Sequence, residues 1–154
     1  MEIERKYIVS NALWQEHHNP ANATLIRQAY LTTDPKCTVR IRLTENRAVM
    51  AIKGASKGNS RPEYEYEIPY EDGASIIELA RTPVILKWRY RVEFSGYTWE
   101  VDEFLGDNEG LILAEVELQS EEEKPEWPAW VLKEVSGDPR YFNLRLAINP
   151  IINW

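Results

Sequence analysis

The sequence predicts an α+β fold that is mostly β, in a single domain over residues 1–154, and three observations predict it. Apolar and polar residues alternate with period two in segment after segment, the mark of half-buried strands. The links between these segments are short, which favours antiparallel neighbours. With 154 residues, 44% of them hydrophobic, the chain can bury a core and is too apolar to stay disordered.

The elements follow in order. The first strand spans residues 2–9, and a short helix is expected at 13–17. Strands at 24–32, 37–44, 47–53 and 62–69 come next, separated by turn-forming stretches such as Thr33-Asp34-Pro35-Lys36 and Glu45-Asn46. Residues 71–80 carry Ala74, Ile77 and Ala80 at helical spacing, with Pro83 beyond the end, and predict a helix. Strands at 84–94 and 97–104 flank Ser95-Gly96, a tight hairpin. After the breaker Gly106-Asp107-Asn108-Glu109-Gly110, an eighth strand spans 111–119. The tail from Glu121 is cut into short pieces by Pro125, Pro128 and Pro139.

Composition excludes several classes. There are 18 Lys and Arg against 25 Asp and Glu, a net charge of −7, so a nucleic-acid partner is not expected. A single cysteine, Cys37, excludes a disulfide framework and a multi-cysteine metal site. No apolar run reaches the roughly 20 residues of a membrane helix, and the N-terminus lacks a signal-peptide stretch, so the expected location is cytoplasmic. His17 and His18 read as surface residues, and residues 54–60 as a mobile rim loop, since no Gly-Lys-Ser/Thr ending or helix follows. Glu121-Glu122-Glu123 reads as a solvated face.

The alternation has inverted chemistry. Successive side chains on a strand alternate faces, so Glu2, Glu4 and Lys6 share one. So do Arg40 and Arg42; Glu63, Glu65 and Glu67; Lys87, Arg89 and Arg91; Glu100 and Asp102; and Glu115 and Glu117, while Lys53 ends its own strand. The opposite faces are apolar, among them Val39, Ile41 and Leu43, then Trp88, Tyr90 and Val92. Two arrangements fit. In one, the charges face solvent and the apolar faces pack as a sandwich or onto helices. In the other, the sheet closes into a barrel with charges inside, under helices that cover its outside. Segregation by sign favours the second, because like charges side by side on a strand repel unless each set has a ligand. Carboxylates suit hard divalent cations, and Arg and Lys suit phosphate oxygens. A metal-chelated polyphosphate satisfies both.

The opening Glu2-Ile3-Glu4-Arg5-Lys6 resembles the Glu-x-Glu-x-Lys signature of the CYTH superfamily, the triphosphate tunnel metalloenzymes, in its short bacterial form. The resemblance continues through Val39-Arg40-Ile41-Arg42, Ile52-Lys53-Gly54, Glu63-Tyr64-Glu65-Tyr66-Glu67, Lys87-Trp88-Arg89, Trp99-Glu100-Val101-Asp102, Ala114-Glu115-Val116-Glu117 and Gly137-Asp138-Pro139-Arg140-Tyr141. It implies an eight-stranded antiparallel β-barrel forming a tunnel with a charged interior and helices packed outside. It also implies Mg²⁺ or Mn²⁺ as cofactor and a small-molecule triphosphate as substrate.

By position, Lys6, Arg40, Arg42, Lys53, Lys87 and Arg89 are the implied triphosphate ligands, joined from the tail by Arg140. Glu2, Glu4, Glu115 and Glu117 are the implied metal ligands, and Glu63, Glu65 and Asp102 complete a second, water-activating metal region. Tyr30 matches a tyrosine that approaches the signature lysine, which places Lys6, Tyr30, Glu63, Glu65 and Lys87 in the implied catalytic set. Glu67, Arg91 and Glu100 share the face but match less fixed positions of the family, so their roles stay open. Trp88 departs from a common Thr, Phe142 from a common Tyr, and residues 143–146 are atypical.

The activity the resemblance favours is hydrolysis of inorganic tripolyphosphate to orthophosphate. Class IV adenylate cyclase, thiamine triphosphatase and a non-catalytic polyphosphate- or nucleotide-binding module are the alternatives. No membrane partner is expected, and barrel-edge aromatics are compatible with a homodimer.

Overall fold

A computed structural model describes residues 1–154. The expected strands form as β1 (Glu2–Val9), β2 (Thr24–Tyr30), β3 (Cys37–Leu43), β4 (Ala48–Gly54), β6 (Glu63–Ile68), β7 (Ile85–Phe94), β8 (Tyr97–Phe104) and β9 (Ile112–Glu117). Two short strands were not expected, β5 (Ser60–Arg61) and β10 (Val131–Glu134). The helices are α1 (Asn11–His17), α2 (Tyr70–Ile76) and α3 (Asn143–Ile148). Helix α2 ends sooner than its apolar spacing suggests, because the chain tightens into a 3₁₀ turn at Ile77–Leu79. None of these helices is long and apolar enough to cross a membrane.

All pairings are antiparallel, and the strand order is β10-β1-β9-β8-β7-β2-β3-β4-β6. The β7–β8 hairpin turns through Ser95 and Gly96 at φ 53° and 84°, the left-handed pair that matches strand twist in a two-residue loop. The sheet does not close by a continuous ladder. Pro62 has no N–H to donate and sits between β5 and β6. On one side of it, β6 pairs with β4; on the other, Ser60 and Arg61 pair with Ile3 and Glu2 of β1. The sheet thus curls until its first and last long strands meet across this two-residue seam. Lys53 of β4 crosses the same seam to reach Glu2 at 3.1 Å.

The outer face carries most of the core. Tyr7, Tyr90, Trp99, Val101 and Val116 pack beneath Trp14 of α1 and Trp130 and Val131 of the tail. Ser10 caps α1 by accepting a hydrogen bond from the Leu13 amide, which fixes where Trp14 enters. Ile41, Leu43 and Ala48 lie under α2, with Ile76 and Ile77 packed against them. Tyr64 and Tyr66 on β6 have no such cover and stay more than half exposed.

Helix α3 differs from the expectation of helices on the outside only. Leu146 and Ala147 pack against Ile85, Phe104 and Leu113, which share strand faces with Lys87, Asp102 and Glu115. The charged interior therefore ends in an apolar floor on which the C-terminal helix sits.

Candidate functional site

A cavity of about 1290 Å³ runs through the curled sheet. Only five of its 36 lining residues are hydrophobic, while ten are Lys or Arg and eight are Glu. The acidic net charge of the chain therefore says nothing of this interior, where basic groups outnumber acidic ones. Strand parity delivers them. Every second residue of β1, β3, β7 and β9 points inward, so Glu2, Glu4, Lys6, Arg40, Arg42, Lys87, Arg89, Glu115 and Glu117 all reach one space. Tyr30, Lys53, Glu63, Glu65, Arg91 and Glu100 line it too.

Most of the cations are paired. Lys53 Nζ lies 3.1 Å from Glu2 and 2.7 Å from Glu63. Arg40 Nη2 is 3.5 Å from Glu65, and Arg61 Nε is 3.6 Å from Glu2. Lys6 Nζ donates to the Tyr141 carbonyl at 3.0 Å, lies 3.6 Å from Glu115 and sits over the Phe142 ring. Arg42 has no carboxylate partner; its Nε and Nη2 both donate to Gln28 Oε1, at 3.0 and 2.9 Å. Burial, with Arg40 and Arg89 adding repulsion, lowers its pKa to about 9, so it stays charged at neutral pH as a guanidinium without an anion.

Two expected positions, Asp102 and Arg140, lie off the cavity, and Glu67, whose role was open, does too. Asp102 does not line the cavity. It is on the inward face but covered by its partners, 2% exposed, accepting from Arg89 Nε and Nη2 at 2.8 and 2.9 Å, with Lys87 Nζ at 2.8 Å. Both its oxygens are taken by cations, so it aligns Arg89 and Lys87 rather than offering a free ligand to a metal. Burial opposes ionisation there, but Arg89 and Lys87 hold the carboxyl well below its usual range. Arg140 lies outside the cavity, exposed, bound through Nε and Nη2 to Asp138 and stacked on Tyr141 and Trp154. The short Asp138-Pro139-Arg140 turn favours this local pair over a reach into the interior. Glu67 faces out at the far end of β6 and pairs with Arg47 at 2.8 Å.

Glu4 on β1 and Glu115 on β9 are partly buried neighbours. Burial first, then repulsion from Glu115 and Glu2, pushes Glu4 well above the usual carboxylate range. Burial works against Glu115 as well, yet Lys6, Arg89 and Lys87 hold it well below. No group of three or more acidic, His or Cys side chains converges as a ready cage. That suits Mg²⁺, which is commonly bound by one or two carboxylates and completed by water and phosphate oxygens. The donor set fits.

Several lining residues were not foreseen. Asn143, at the start of α3, accepts from Lys87 Nζ at 2.9 Å and from Gln28 Nε2 at 3.0 Å. Arg61, Ser136 and Arg145 also line the cavity. The tail showed no periodicity that would have placed them; the only signal was that Gln28 falls in phase with Tyr30. The rim loop at 54–60 is ordered, not free. Lys57 and Ser60 bond each other's backbones, and Glu121 accepts from the Asn59 amide. Glu123 lines the cavity and accepts from Tyr97, so the acidic triplet is not merely a solvated face.

The chain's relatives are consistent with this interior. The CYTH domain model matches residues 1–142. An inorganic triphosphatase from Acetivibrio thermocellus is 47% identical over 154 residues, covering 99% of this chain and 97% of that protein. A second, from Nitrosomonas europaea, is 34% identical over 152 residues, covering 96% and 97%. The crystal structure of an inorganic triphosphatase superposes with a TM-score of 0.65 at 31% identity, covering 96% of this chain and 95% of the other.

Proposed function

The chain belongs to the CYTH domain family, and from that premise we propose that it is an inorganic triphosphatase that cleaves tripolyphosphate to orthophosphate with Mg²⁺ or Mn²⁺. One observation carries the reading: cations and carboxylates line a single cavity, and one partly buried guanidinium, Arg42, has no anion of its own. A cation withdrawn from bulk water without an anion is unfavourable, so the site is built around an anionic ligand.

In this reading Arg40, Arg42, Lys53, Lys87 and Arg89 bind the phosphate oxygens, with Arg able to engage two at once. Lys6, released from the Tyr141 carbonyl, joins them. Glu2, Glu4, Glu115 and Glu117 are the carboxylates from which a divalent cation would draw one or two ligands, and Glu63 and Glu65 flank Lys53 and Arg40 so that these present their charge in fixed directions. A divalent cation bound there neutralises charge on the phosphate chain and activates water. Arg140 and Asp102 take no direct part. Asp102 fixes Arg89 and Lys87 against the wall. Preset charge, rather than covalent chemistry, supplies most of the acceleration, as in phosphoryl transfer generally.

The test is to incubate the pure protein with tripolyphosphate, ATP or thiamine triphosphate, each with Mg²⁺ or Mn²⁺, and identify products. Orthophosphate from tripolyphosphate in preference to the others is the expected result. Cyclic AMP from ATP, or binding without turnover, would replace it with a cyclase or a binding module.

A further inference from the structure

We propose that Gln28 is a positioning residue for the phosphate-binding cations, one that aligns Arg42 with a neutral amide that leaves its charge free for the substrate, and that is linked through Asn143 to Lys87, itself paired with Asp102. The inference rests on the triphosphatase reading and deepens it. Gln28 stands on β2 in phase with Tyr30 and is completely buried. A buried amide is costly unless it is hydrogen-bonded, and this one is bonded at both ends. Its oxygen accepts from both Nε and Nη2 of Arg42, at 3.0 and 2.9 Å, which fixes the guanidinium plane through a single acceptor atom. Its nitrogen donates to Asn143 Oδ1 at 3.0 Å, and the same oxygen accepts from Lys87 Nζ at 2.9 Å. Two amides thus join two cations on different strands.

The contrast with the neighbouring cations gives this its meaning. Lys6, Arg40, Lys53 and Arg89 each have a glutamate or aspartate within 4.0 Å. Arg42 has none, although a glutamate at position 28 would fill the same volume and grip it as well. The amide fixes the plane of the guanidinium without cancelling its charge. It engages two of the five N–H donors, which leaves three for an oxyanion. Asn143 begins α3, so the seating of the C-terminal helix on its apolar floor is tied to the same two cations.

Gln28→Glu separates this role from a structural one. It keeps the shape and the grip on Arg42 but adds a negative charge. Three measurements are needed: the melting temperature, tripolyphosphate binding by calorimetry in EDTA, and KM and kcat for tripolyphosphate hydrolysis. The expected result is an unchanged or higher melting temperature, at least tenfold weaker binding and a KM raised in proportion, with a smaller change in kcat. Binding within twofold of the parent overturns the proposal. So does a loss of affinity that comes only with a large fall in melting temperature. Should Gln28→Glu fail to fold, Asn143→Asp, which adds the same charge beside Lys87, is read by the same criteria. A parent protein that binds tripolyphosphate without cleaving it defeats the triphosphatase reading but leaves this inference standing; one that does not bind it defeats both.

Discussion

Single side chains in the cavity differ in what their removal does, and environment decides which. Glu4 is pushed well above the usual carboxylate range by burial and by Glu115, so its charged form is disfavoured in the folded protein. Glu4→Gln removes that penalty and should leave the melting temperature equal or higher at neutral pH. In the triphosphatase reading it also removes a cation ligand, so metal-dependent turnover should fall about 100-fold or more. Turnover at the parent rate would end the metal assignment. Asp102 is the opposite case. Its carboxyl is held low by Arg89 and Lys87, so the stability it contributes is present above its unfolded pKa of about 3.9 and is lost as pH falls through the lower folded value. Asp102→Asn strands two buried cations and should lower stability at pH 7 by about 3–5 kcal/mol in urea unfolding. The deficit should shrink below about pH 4, as the unfolded parent chain takes up a proton on this carboxyl that the folded one does not. Parity put Asp102 among the inward residues correctly. It could not show that Arg89 and Lys87 occupy both its oxygens, because that depends on distances between neighbouring strands.

At the scale of elements, the strands follow from alternation and the helices from what they cover. Helix α2 shows how closely an element is fitted. Gly73 is buried, and a methyl group there would collide with the Ala48 side chain and come within 3.0 Å of Leu43 Cδ2. In an exposed helix, Gly→Ala stabilises by roughly 1 kcal/mol, but overpacking a core costs about 1–3 kcal/mol. Gly73→Ala should therefore lower the melting temperature by calorimetry, and a rise would show that α2 has room to move off β3 and β4. The tail elements were not legible in the same way. Residues 131–134 and 143–148 are too short to show a period, and their order comes from docking on β1 and on the apolar floor. The misplacement of Arg140 has the same origin. A residue just before α3 reads from sequence as a neighbour of the cavity, yet the Asp138 turn three residues from Asn143 directs it outward while Asn143 points in.

For the whole molecule, the decisive property is a chain of net charge −7 that encloses a basic cavity. An anion that fills it should stabilise the fold. Tripolyphosphate at 100 times its dissociation constant should add about 2.7 kcal/mol, read as a rise in melting temperature without added metal. No shift under saturating conditions would mean that the cations are satisfied by their own carboxylates. The sequence by itself determined the strands, the face on which each charge lies and the family, because period-two alternation and the ordered charged pairs are local properties of the chain. Only the tertiary structure decided which of those charges share the cavity and which pair with one another. It also decided that a proline-broken seam joins the ends of the sheet and that the C-terminal helix brings Asn143 to Gln28 and Lys87. Those outcomes depend on distances between strands and, for Asn143, on contacts 56 and 115 positions apart, of which the pattern along the chain carries no record.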